Sequence, residues 1–167
     1  MLSRGFRLFV LGSAFFLSLF LITADHSQAQ DNTAAAADEE KPYKIDPDGT
    51  VDWPTFSGFR RFNSECYVCH GPDGVGSTFA PALVDSLKTM TYEQFLETVT
   101  NGKTEVNTAV QKKMPAFGTN PNVMCYIDDI YAYLKARSDG KLGRGRPAKK
   151  HEKSKEWSEA EAACMGS

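Results

Sequence analysis

The chain has 167 residues, 41% of them hydrophobic and 24% charged, with a formal net charge of −2 and four cysteines. That length holds one domain behind a short leader, which excludes a multidomain receptor and a polytopic membrane protein. The leader described next also argues against a cytosolic enzyme.

Residues 1–29 have the three-part layout of a secretory signal. Arg4 and Arg7 come without an acid, residues 8–22 run apolar, and Ser27-Gln28-Ala29 puts small residues at −3 and −1 of a cleavage site. The apolar run is 15 residues, short of the ~20 that a spanning helix needs. The leader is therefore read as a cleaved signal peptide and the product as periplasmic, with a retained membrane anchor as the alternative. Residues 30–42 have no apolar face to bury and read as a flexible arm. A domain is expected over residues 43–147, followed by a basic C-terminal tail over 148–167.

Three helices are predicted within the domain. The first starts at Asp52 or Thr55, near Pro54, which suits a first turn, and runs towards His70. The second starts at Thr91, where Thr91-Tyr92-Glu93-Gln94 fits a capping box; Phe95, Leu96 and Val99 form its apolar side and Asn101-Gly102 ends it. The third opens with Asn120 and Pro121, continues through Val123, Ile127, Ile130, Tyr131 and Leu134, and closes at Asp139-Gly140. No segment shows the alternation that a sheet requires, so the fold class is all-α. Gly- and Pro-rich loops over residues 71–81 and 112–119 are long enough to wrap something.

Cys66-Tyr67-Val68-Cys69-His70 is a Cys-x-x-Cys-His motif, the signature of covalent c-type haem attachment. On a helix the two thiols lie one turn apart, within reach of two vinyl groups on one porphyrin edge. The next residue aims an imidazole at the iron. A thioredoxin-like dithiol would need a βαβ setting. A disulfide across two residues would leave His70 unexplained, and zinc would want a second ligand pair where only His151, in the tail, is available. One motif implies one haem.

An electron carrier needs a sixth iron ligand, and methionine sulfur raises the potential. Met114 precedes Pro115-Ala116-Phe117-Gly118, a loop able to bring sulfur across the ring from His70. Met90 is the runner-up, Met124 reads better as core filler, and Met165 is near the terminus. The second nitrogen of His70 also needs a partner; the Pro81 carbonyl is the candidate, against an ordinary turn proline. Trp53, Phe56, Phe59, Phe62, Phe79, Phe95, Phe117, Tyr126 and Tyr131 offer bulk for a haem pocket or for an ordinary core alike. Lys103, Lys112 and Lys113 together offer a basic rim close to Met114, whereas each singly reads better as surface solvation. An open-site haem enzyme or sensor is the opposing class, but no distal histidine is in view. A cytochrome subunit held in a larger complex is the third.

At these residues the sequence resembles a class I c-type cytochrome: Cys66 to His70 with Gly71, the Pro81 loop and Met114-Pro115 occur in that family's order. It resembles more narrowly the four-cysteine cytochromes of methanol metabolism, through Cys69 to Ser77, Met114 to Gly118, Asn120 to Asp139 and Arg144-Gly-Arg-Pro147. The resemblance implies the class I cytochrome c fold, with three main helices and long loops around one haem. It implies a one-electron carrier that takes electrons from a quinoprotein methanol or alcohol dehydrogenase, often the lanthanide-dependent type. Another cytochrome c or a terminal oxidase would then receive them.

With Cys66 and Cys69 assigned to haem, Cys125 and Cys164 remain as an even pair in an oxidising setting. A bond between them would pin the tail to the third helix and stabilise by ~4 kcal/mol on the chain-entropy argument; free thiols or pairing between chains are the alternatives. Nine basic residues lie between positions 135 and 155 against Asp139 and Glu152, leaving an otherwise acidic body. The tail is expected to fold back on that body, or else to meet an acidic partner or, weakly, an anionic membrane surface. Nucleic acid is not an expected partner of an exported protein.

Overall fold

The computed structural model describes residues 41–106 and 111–166, and the side chains of Gln111 and Lys112 are not described. The expected signal peptide, most of the arm, and the side chain of Lys112 lie outside the described residues.

Helix α1, Trp53–Glu65, begins where Asp52 accepts the Thr55 amide at 3.0 Å with Pro54 in the first turn. It stops at Cys66, and a separate single turn, α2 (Tyr67–His70), carries the rest of the motif. After a short turn at α3, Leu83–Ser86, comes α4, Tyr92–Asn101, with Thr91 and Gln94 forming the reciprocal capping box and Gly102 closing the helix. The predicted third helix is two pieces. Asn120 caps α5, Pro121–Met124, and the chain then leaves helical geometry at Tyr126 before α6, Ile127–Ser138. That break re-aims Tyr126: its ring lies 3.5 Å beneath the Arg61 guanidinium and its hydroxyl donates to Glu161 at 2.6 Å.

α1 and α6 cross closely because Gly58 brings no side chain to the contact, where Asp129 and Tyr133 face it. Around this crossing Phe62, Leu87, Phe95, Ile130, Tyr133 and Leu134 form one buried core. Each such side chain contributes roughly 1.5–3 kcal/mol of burial. On the far side of α6, Tyr43 packs with Ala132 and Ala136 and donates to Asp139 at 2.8 Å.

Two elements depart from the sequence reading. Strands β1, Lys103–Val106, and β2, Gln111–Met114, pair antiparallel with Lys103 opposite Met114. β1 is exposed along its whole length, so it has no buried face and no apolar alternation to reveal it. The fold remains all-α apart from this hairpin. The tail, for its part, ends in a helix, α7, Lys155–Met165, whose cap Ser154 accepts the Trp157 amide at 3.1 Å. None of its residues is buried. Trp157 packs edge-on against Trp53, and a Cys125–Cys164 disulfide ties the helix to the end of α5.

The segment before α7 lies against the acidic body. Val51 pairs with Lys150 in a short parallel bridge, its amide donating to Lys149 O at 3.2 Å and its carbonyl accepting the His151 amide at 2.8 Å. Lys149 pairs with Asp48 at 2.9 Å and His151 with Asp46 at 2.7 Å. Lys149 already has an intramolecular partner, so an acidic protein or anionic lipid would compete with Asp48 for it. No helix among the described residues is long and apolar enough to cross a membrane.

Asp129 is buried between α1, α6 and α7, where the Trp157 indole N–H reaches it at 3.4 Å. Burial pushes its carboxyl from the ordinary 3.8 up to about 6, outweighing the hydrogen bonds from Ser57 and Trp157. The folded state thus holds this proton more tightly than the unfolded one. Stability is present while the group is protonated and is lost as pH rises from 3.8 towards about 6. Asp129→Asn is expected to be more stable than the parent at pH 8, by about 3 kcal/mol, and close to it at pH 4. Urea unfolding at the two pH values checks this; an equal difference at both would contradict it.

Candidate haem site

The junction of α1 and α2 places the Cys-x-x-Cys-His residues. The Cys66 amide donates to Phe62 O, and both Cys69 and His70 amides donate back to Cys66 O, so the three side chains are fixed within one turn. Cys66 is half-buried, Cys69 is exposed, and neither is in a disulfide. Burial, with Glu65 and Cys69 adding charge repulsion, pushes the Cys66 thiol up to about 12. The attacking thiol of a redox-active dithiol needs the opposite shift, so Cys66 is unsuited to that role.

His70 is buried, and its Nδ1 lies 3.0 Å from the Pro81 carbonyl oxygen. A carbonyl only accepts, so Nδ1 carries the proton and Nε2 keeps its lone pair. Burial lowers the imidazole pKa against the opposing effect of that bond, which keeps the ring neutral at neutral pH. A neutral, oriented imidazole with a free Nε2 is the state a metal ligand requires. The loop that delivers Pro81 is folded tightly over α2: Gly76 donates to His70 O at 2.8 Å and the Ser77 hydroxyl donates to Cys69 O. A Cβ on Gly76, whose φ is +86°, would stand 2.7 Å from the Ala82 nitrogen, so the loop closes only with glycine there.

Met114 ends β2 and is half-buried against the same core that takes up Cys66. Gly102, at φ +72°, lets the end of α4 approach within what would be 2.6 Å of the Met114 carbonyl for a Cβ. Beyond it, the Phe117 and Gly118 amides donate to Val99 and Thr100 carbonyls at 2.9 and 3.0 Å. The methionine loop is therefore strapped to α4. Met90 and Met124 border this core as well; Met165 sits on α7 beside the disulfide.

The aromatic residues separate into two groups. Phe59, Phe62, Phe95, Phe117 and Tyr131 share the core with Cys66 and Met114. Trp53, Phe56 and Tyr126 instead face cations and α7: Lys150 lies 4.9 Å over Trp53 and Arg146 4.9 Å over Phe56. Phe79 is exposed. Sequence reasoning did not find that Arg144 and the Gly145 amide hold Asp73, inside the loop after His70. Arg144-Gly-Arg-Pro147 carries a family likeness in the sequence but no sign of this contact.

An all-α domain with two unpaired cysteines, a neutral oriented histidine and a thioether loop on one apolar core has the donor set of a haem c protein. Residues 55–134 match the family described as cytochrome c oxidase, cbb3-type, subunit III. The chain is 58% identical over 144 residues to cytochrome c-553I of Paracoccus denitrificans, covering 86% of this chain and 63% of that protein. It is 40% identical over 96 residues to cytochrome c-555 of Methylococcus capsulatus, covering 57% of this chain and 72% of the relative. The crystal structure of c-type cytochrome XoxG from Methylobacterium extorquens AM1 is similar at TM-score 0.63 and 41% identity, over 83% of this chain and 94% of that one. The chain belongs to the class I c-type cytochromes. It carries covalently bound haem c and is an electron-transfer protein, not an enzyme.

Proposed function

We propose that this cytochrome is a periplasmic one-electron carrier whose haem is bonded to Cys66 and Cys69 and ligated by His70 and Met114. Electrons enter from a PQQ-dependent methanol or alcohol dehydrogenase and leave to another cytochrome c or a terminal oxidase. The observation that carries the ligation is the His70–Pro81 contact at 3.0 Å, which leaves Nε2 as the donor nitrogen. Haem c, once attached, supplies a one-electron iron couple. Pro81 fixes the imidazole, the strapped Met114 loop holds the thioether, and Phe59, Phe62 and Phe95 exclude water. Two fixed ligands keep atomic movement small when the charge changes.

The donor rests on the resemblance along Asn120 to Asp139 and on similarity to cytochromes of Methylobacterium and Methylococcus. The acidic body favours weak, salt-sensitive docking and rapid exchange of partners. Stopped-flow mixing with a purified PQQ methanol dehydrogenase is expected to reduce the haem at a rate that changes with ionic strength. Absence of reduction at every salt concentration would remove the donor and leave the haem assignment standing. A subunit fixed in a larger complex is a second reading, favoured by the description of the matching family; reduction of the isolated chain by free dehydrogenase would count against it.

A further inference from the structure

Asp73 lies three residues beyond His70, in the turn Pro72–Gly74. It has φ +57°, and it is the one residue other than glycine with positive φ among the described residues. Aspartate tolerates that conformation better than most residues but still needs support. Its carboxylate is buried, and both oxygens are held from outside the loop. Oδ1 accepts the Gly145 amide at 2.8 Å and Oδ2 accepts Arg144 Nε at 3.0 Å.

The segment that holds it is itself anchored. The Lys141 and Leu142 amides donate to Ala136 O at 3.0 and 3.1 Å, and Arg137 donates to Leu142 O at 2.6 Å. Pro147 is buried, and Arg146 stacks over Phe56. Gly74, next to Asp73, is close to Leu134 and Phe62 of the core shared with Cys66. A buried negative charge is thus fixed beside the haem-attachment turn; the arginine that touches it, Arg144, has a side chain 65% exposed, and Arg137 of α6 adds a second positive charge from the anchored segment. The carboxylate is screened little by solvent and the guanidinium much more.

We propose that Asp73 is a positioning residue and fixed charge for the haem: it holds the turn after His70 and lowers the reduction potential, and Arg144 sets how much of its charge the iron feels. The proposal rests on attachment at Cys66 and Cys69 with His70 as ligand. A carboxylate near the iron favours the oxidised form, which carries one more positive charge, and a guanidinium favours the reduced form.

The test is spectroelectrochemical titration at low ionic strength of the parent, Asp73→Asn, Arg144→Gln, Arg144→Lys and the double variant Asp73→Asn/Arg144→Gln. Asp73→Asn is expected to raise the equilibrium constant for reduction about threefold or more, ~28 mV at 59 mV per tenfold for one electron. Arg144→Gln is expected to lower it, Arg144→Lys to stay near the parent, and the double variant to return towards the parent. All should keep the sulfur-to-iron charge-transfer band. Shifts of Asp73→Asn and Arg144→Gln in the same direction, or loss of that band in both, would mean a merely structural clamp and overturn the proposal. If Asp73→Asn fails to mature, the arginine pair decides: Arg144→Gln must lower the potential and Arg144→Lys restore it. A parent lacking covalent haem or the band would instead defeat the ligation reading, a distinguishable failure.

Discussion

Met114→Ala is expected to yield a protein that still carries covalent haem but has lost its sulfur-to-iron band. In the ferrous state it should bind carbon monoxide, which the parent should resist. Its potential should fall by on the order of a few tenths of a volt, within the ~0.8 V that axial ligands span. The size of the effect follows from the loop: the close approach at Gly102 and the Phe117–Val99 hydrogen bond strap the segment that carries Met114 to α4. Met90 lines a surface cleft with Ser86, Gln94 and Thr98, and Met124 is committed to α5. Met90→Ala and Met124→Ala should therefore leave the band in place. Carbon monoxide binding by either of those, with Met114→Ala unaffected, would move the ligand.

Gly58→Ala should be the most damaging single change to the scaffold. The added Cβ would stand 1.8 Å from the Asp129 carbonyl oxygen and 2.9 Å from Tyr133 Cβ. The oxygen belongs to the backbone and cannot rotate away, so α1 and α6 must separate and the core around Phe62 and Tyr133 opens. Overpacking costs ~1–3 kcal/mol in cores where side chains can adjust. With backbone on both sides the loss should reach at least the top of that range, read as a lower urea midpoint and a poor yield of haem protein. Gly143→Ala, which meets nothing within 4 Å, is the control and should leave stability near the parent value. A Gly58→Ala variant as stable as that control would contradict the packing described for the helix crossing.

Much of this arrangement could be read before any coordinates, and the reasons are local. The Asp52, Thr91 and Asn120 side chains each accept a backbone amide two or three residues on, so sequence spacing alone exposes these caps. The Cys-x-x-Cys-His spacing is likewise a chemical requirement written within five residues. What escaped depends on contacts distant along the chain or lacks a buried face. Helix α7 has no buried residue and rests on Trp157, Glu161 and the link between Cys125 and Cys164, so its charged composition reads as a solvated tail. The break at Tyr126 answers to Arg61 and Glu161 rather than to its neighbours. The hold of Arg144 on Asp73 spans 71 positions, and nothing in either local sequence announces it.

The absorption spectrum of the ferrous protein before and after addition of carbon monoxide is the most direct measurement of the whole account. An imidazole and a thioether filling both axial positions predict a six-coordinate spectrum that the gas leaves unchanged. An immediate shift to a carbonyl complex would show an open iron site, and the carrier described here would have to give way to a haem enzyme or sensor.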